Sequence, residues 1–167
     1  MAKRVAVSDI GIAKLLNNYF NNSVEIIQTD LTRLEGDYDL VCVQDSEADI
    51  SSVADSCNII NVHYSLLPAF AQKDALKTVF TSGVKVGGIT IHKVEKDNFY
   101  GKIIAQFPVL IGNTTHFDEY KSELEAVRDK LLPAVVDSIL NDRVFDFEDM
   151  MKPSCHGACG GCKGCSH

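Results

Sequence analysis

Basic residues are in short supply in this sequence, long apolar runs are missing, and most of the cysteine is confined to one end. Lys and Arg total 16 against 23 Asp and Glu, for a formal charge of -7. A chain this acidic lacks the basic footprint that a phosphate backbone requires, so general nucleic-acid binding is not expected. A small ligand, including an anion held by backbone N–H groups, stays open. No stretch approaches the roughly 18 consecutive apolar residues of a membrane helix, so no membrane partner is expected. The opening MAKRVAVSDIG has no sustained apolar segment or cleavage region, and reads as the first strand of a cytoplasmic protein rather than a signal peptide. Internal repeats are also lacking. What remains is ordinary globular composition, 46% hydrophobic and 23% charged over 167 residues, enough for one domain with a real core.

Strand and helix patterns alternate along the chain. Short apolar runs at 4–8, 24–28, 39–43 and 57–62 read as strands, and 10–20 as an amphipathic helix. The stretch TDLTRLEGDY is too short and polar for a full crossover helix, whereas QDSEADISSVADS carries capping residues and suits a short one. Ala75, Leu76, Val79 and Phe80 share one face of a helix expected over 72–82, stopped by Gly83. Residues 85–94 and 103–109 are further strands. Phe117, Tyr120, Leu124, Val127, Leu131 and Val135 mark a long helix over 115–140, with His116 as a cap or surface residue. Polar residues of KSELEAVRDK form its solvated face. The VFDF arm beyond it is extended, and packs either on the sheet or on a second subunit. Together these elements predict an α/β fold, a mostly parallel twisted sheet flanked by helices in a Rossmann-like three-layer sandwich.

Two polar pairs interrupt the apolar pattern. Asn61 and His63 in IINVHYSLLPAF are two residues apart at a strand end, so their side chains share a face. Thr90 and His92 in GGITIHKV repeat the spacing after two glycines. An amide that donates to an oxygen as charge develops, beside an imidazole that moves protons, suits carbonyl chemistry. Strand-end hydrogen bonding of a purely structural kind explains the same residues.

The run NIINVHYSLLPAF, continued by SGVKVGGITIHKVE and YGKIIAQFPVLIGNTTHFDEYKSELEAVRDKLLPAVV, resembles the folate-dependent formyltransferases, especially the glycinamide ribonucleotide type. The resemblance spans roughly residues 39–139. It implies transfer of a formyl group from 10-formyltetrahydrofolate to an amine. It also implies catalytic roles for Asn61 and His63, with Thr90, His92, Leu67 and Pro68 on the cofactor side. Three departures qualify it. Phe99 in EKDNFYG stands where the family carries a catalytic Asp, leaving Asp97 as the substitute candidate. The first loop, SDIGIAK, has Ser8 and Asp9 where the family has a Gly-rich loop for the substrate phosphate, and a helix cap is the simpler reading of both. The region before DLVCV is also shortened.

The third departure is an added tail. Residues 1–149 form the expected formyltransferase-like domain with a shortened N-terminal half, and 150–167 a Gly/Cys-rich segment. Cys155, Cys159, Cys162 and Cys165 follow a C-x3-C-x2-C-x2-C spacing that suits zinc or an iron–sulfur cluster, and spacing does not choose between them. Thiol redox chemistry with a redox partner is the other reading of the tail. Cys42 and Cys57 read as small buried hydrophobes. Against the enzyme stands a noncatalytic, ligand-sensing or regulatory protein of the same fold.

Overall fold

The computed structural model describes residues 2–30, 34, 36–44, 57–96 and 98–148. Among these residues, six strands and three helices follow one another as β1 (Arg4–Val7), α1 (Ile10–Phe20), β2 (Glu25–Gln28), β3 (Leu40–Gln44), β4 (Ile59–His63), α2 (Ala75–Thr81), β5 (Val86–Val94), β6 (Ile103–Leu110) and α3 (Phe117–Leu140). They build one sheet in the order β2-β1-β3-β4-β5-β6. The first four strands of that order pair in parallel, and β5 alone is reversed, antiparallel to both β4 and β6. β1, β3 and β4 are buried almost throughout, as parallel strands covered on both faces must be.

Alternation along the strands divides the interior into two clusters. Val5, Val7, Leu40, Cys42, Ile60, Val62, Ile89 and Ile91 meet Ile12 and Leu16 of α1, Val79 of α2, and Leu124, Leu131 and Val135 of α3. The opposite face carries Ala6, Val41, Val43, Ile59 and Val94, with Leu34, Tyr38, Cys57 and Phe99 packed on them. Gly87 permits the close approach of α3 and α2 to β5, since a Cβ there would lie 1.9 Å from the Tyr120 hydroxyl and 2.9 Å from Val79.

Asp9 caps α1, its Oδ1 accepting from the Ile12 N–H at 2.9 Å, as the cap reading requires. His116 is the N-cap residue of α3, and the Glu119 carboxylate accepts its backbone N–H at 2.9 Å. Helix α2 begins at Ala75, three residues later than its apolar spacing suggests. Asp74 adopts a left-handed φ of 57°, so the residues before it turn instead of helping to form the helix. In the VFDF arm, Phe145 and Phe147 pack on the helix-bearing core of their own chain, with Phe147 6.0 Å from the Phe107 ring. The helix expected in QDSEADISSVADS lies outside the described residues, as do residues 31–33 and 35 of TDLTRLEGDY.

Candidate functional site

Strand register gathers the two polar pairs into one patch. The antiparallel pairing of β4 and β5 sets Asn61 opposite His92 and His63 opposite Thr90, and β6 adds Gln106 opposite Thr90. Because side chains alternate, these residues share the face carrying the smaller apolar cluster. Asn61, Thr90 and His92 are fully buried and His63 is 2% exposed.

Hydrogen bonding fixes the orientation of each group. His92 Nδ1 lies 2.9 Å from the carbonyl oxygen of Lys93, which only accepts, so the proton sits on Nδ1. Nε2 then carries the lone pair, and the Asn61 amide 3.1 Å away must present Nδ2–H to it. That leaves Asn61 Oδ1 buried with no hydrogen-bond partner. His63 Nε2 lies 3.1 Å from the Phe70 carbonyl, which only accepts, so Nε2 carries a proton. Phe70 itself holds a left-handed φ of 55°, unusual for a bulky residue and a mark of a constrained loop.

Thr90 serves the loop after β4. Its hydroxyl donates to the Ser65 carbonyl at 2.7 Å and accepts from the Leu67 N–H at 3.1 Å and Gln106 Nε2 at 3.0 Å. One donor and two acceptors exhaust a hydroxyl, so Thr90 positions this turn and has nothing left for a ligand. Gln106 Nε2 also reaches the Leu67 carbonyl at 2.8 Å. The Leu67–Pro68 peptide is cis; Leu67 is buried and Pro68 exposed.

Aromatic rings close the patch. Tyr100 lies 5.3 Å from the His63 ring and 5.6 Å from His92, and Phe99 lies 5.9 Å from His92. Phe99, at the position the resemblance gives to a carboxylate, thus lies against His92. Asp97 lies outside the described residues, as do Cys155, Cys159, Cys162 and Cys165. Among the described residues no group of His, Cys, Asp or Glu is arranged to hold a metal ion, and no helix is long and apolar enough to cross a membrane. Cys42 is buried in the sheet, which pushes its thiol pKa far up, while Cys57 is half-buried.

Sequence reasoning passed over Gln106, Tyr100 and Phe70. A lone Gln within the apolar strand IIAQFPVL was an available signal for the first. The other two depend on loop geometry that spacing does not encode.

Comparison with known proteins agrees with this architecture. Residues 52–136, just over half of the chain, match the formyl transferase family model. The phosphoribosylglycinamide formyltransferase of Bacillus subtilis is 39% identical over 82 residues, covering 49% of this chain and 42% of that protein. A formyltetrahydrofolate deformylase of Haemophilus influenzae is 29% identical over 91 residues, covering 54% of this chain and 33% of its own length. These matched regions span less than half of either relative. Among solved structures, the phosphoribosylglycinamide formyltransferase from Anaplasma phagocytophilum superposes with a TM-score of 0.69 at 24% identity, over 85% of this chain and 89% of that one. Glycinamide ribonucleotide transformylase 1 from Geobacillus kaustophilus gives a TM-score of 0.65 at 20% identity, over 84% of this chain and 100% of that one. The fold is therefore the three-layer α/β sandwich, a mostly parallel twisted sheet flanked by helices. The chain belongs to the formyl transferase family and is a divergent member of it.

Proposed function

We propose that this protein transfers a formyl group from 10-formyltetrahydrofolate to an amine acceptor, with Asn61 and His63 at the reacting carbonyl. One observation carries the reading: a buried amide held by His92 with its own oxygen unpartnered, in a chain of this family. Attack by the amine nitrogen forms a C–N bond to the formyl carbon and places negative charge on the formyl oxygen. Collapse of that intermediate breaks the carbon's bond to folate nitrogen, and a proton passes from the amine to the departing nitrogen. The second N–H of the Asn61 amide would stabilise the oxyanion, while Oδ1 would accept from the incoming amine. His63, the second imidazole of the patch, is the side chain suited to help move the amine proton. Phe99 and Tyr100 must shift to admit substrates, because the polar patch is sealed beneath them.

A noncatalytic, ligand-sensing role is favoured by a different observation, the packing of Phe99 on His92 where the family resemblance puts an acid. One assay separates the two. The reduced protein is given 10-formyltetrahydrofolate with and without glycinamide ribonucleotide, and folate binding, formylated product and free formate are each measured. Transfer predicts acceptor-dependent product, and Asn61→Ala lowers the rate on the order of a hundredfold, corresponding to about 3 kcal/mol for one lost oxyanion donor. An unchanged rate removes that role from Asn61. Formate alone identifies a hydrolase. Binding without turnover leaves the sensing role, and no folate binding overturns the transfer reading.

A further inference from the structure

The closing run CHGACGGCKGCSH differs in chemistry from everything before it. Four of the six cysteines, Cys155, Cys159, Cys162 and Cys165, fall within it, and it lies outside the described residues. The other two belong to the α/β domain: Cys42 is buried in β3, and Cys57 is half-buried against the smaller apolar cluster. The tail thiols are thus a set of their own along the sequence.

Their neighbours leave only soft donors. None of the 23 Asp and Glu residues comes after Asp149, so the tail lacks the hard oxygen ligands that calcium, magnesium and manganese require. Thiolates select zinc and the irons of iron–sulfur clusters. Spacers of two or three residues are those with which successive cysteines reach one metal centre. Here they are HGA, GG and KG, each with a glycine that relieves a tight turn and none with a bulky apolar side chain. Lys152 and Lys163 bring positive charge beside a centre whose four thiolates outweigh the charge of the metal. Disulfides explain the run less well. Pairs so close in sequence close loops too short to constrain the chain strongly, and a dithiol redox motif employs two cysteines and leaves two without a role.

We propose that Cys155, Cys159, Cys162 and Cys165 together hold one metal centre, zinc or an iron–sulfur cluster, with protein sulfur at every coordination position open to the chain. Such a closed centre is structural or electron-carrying rather than hydrolytic. It stands independently of formyl transfer. The full chain is produced with zinc and iron both supplied, purified without oxygen and dialysed against a weak chelator, then assayed for zinc, iron and acid-labile sulfide. About one zinc per chain without sulfide identifies zinc, whereas iron with matching sulfide and a visible charge-transfer absorption identifies the cluster. Replacing Cys159 and Cys162 together by Ser should lower the metal content about tenfold, while Cys57→Ser in the domain should leave it unchanged. A second measurement uses the unaltered chain: alkylation mapped by mass spectrometry should spare the four tail thiols until a strong chelator removes the metal. Metal-free protein with reactive tail thiols, disulfides among them, metal retained by the double variant, or equal loss from Cys57→Ser would each overturn the proposal.

Discussion

Replacing Thr90 by Val tests whether the hydroxyl, rather than the bulk, of this residue holds the loop after β4. Valine nearly matches threonine in volume, so the change leaves no cavity in a fully buried position. What disappears is the acceptor for the Leu67 N–H and for Gln106 Nε2, and the donor to the Ser65 carbonyl. Gln106 keeps its bond to the Leu67 carbonyl. The Leu67 N–H, on a buried residue, is therefore the costly orphan, at about 1–3 kcal/mol, and the Ser65 carbonyl brings the loss to about 2–4 kcal/mol. Thr90→Ser keeps the hydroxyl and loses one methyl group, for about 1 kcal/mol. Urea unfolding should separate them. With a slope of about 2 kcal/mol/M, Val lowers the midpoint by roughly 1–2 M and Ser by about half a molar. A Val variant as stable as the Ser variant would refute the account, for packing alone would then explain Thr90.

Two further outcomes follow from single contacts. Gly87→Ala drives a methyl group into the Tyr120 hydroxyl at 1.9 Å and should cost roughly 3 kcal/mol in thermal unfolding. Tyr120→Phe in the same chain removes the nearest atom and should restore part of that loss; no recovery would mean the strain lies elsewhere. Asp39 accepts the Arg4 N–H at 2.8 Å and the Lys3 ammonium at 3.1 Å, and its pKa is lowered below 3.8, chiefly by the backbone bond. A depressed folded pKa gives stability that is present above the unfolded value and lost as pH falls through the folded one. The stability gap between wild type and Asp39→Asn should therefore narrow as pH drops from neutral to about 2, and a constant gap would contradict the assignment.

Much of the sheet is legible because local rules and tertiary packing agree. The apolar runs at β1, β3 and β4 are strands buried on both faces, and the spacing from Phe117 to Val135 marks the buried face of α3. The start of α2 is not legible, because apolar spacing marks a helical face while the left-handed conformation of Asp74 sets where the helix begins. The same division holds at the site. Two-residue spacing puts Asn61 with His63, and Thr90 with His92. Nothing local says that β5 runs antiparallel to β4 in the register that joins Asn61 to His92, or that Gln106 completes the set. The Arg128 bonds to Gln44 and Tyr64 join residues 84 and 64 positions apart, beyond any local pattern.

Phe99 changes the site more than it damages it. Its ring joins the apolar cluster of Ala6, Val41, Val43, Ile59 and Val94 and leans on His92, so the place the resemblance gives to an acid is filled by packing. A dry wall there strengthens the Asn61–His92 hydrogen bond by lowering the local dielectric. His92, with Nδ1–H committed to Lys93 and Nε2 to Asn61, can orient the amide but has no position left from which to move a proton. On the transfer reading the proton path then runs through His63, through the substrates themselves, or through Asp97, which lies outside the described residues. In the proposed transfer the Asn61 amide is the group that would need no acid to work, since its orientation is set by its hydrogen bond to His92. On the proposed reading, oxyanion stabilisation is therefore separable from acid–base catalysis: Asn61 would supply the first without an acid, and the second would have to come from elsewhere.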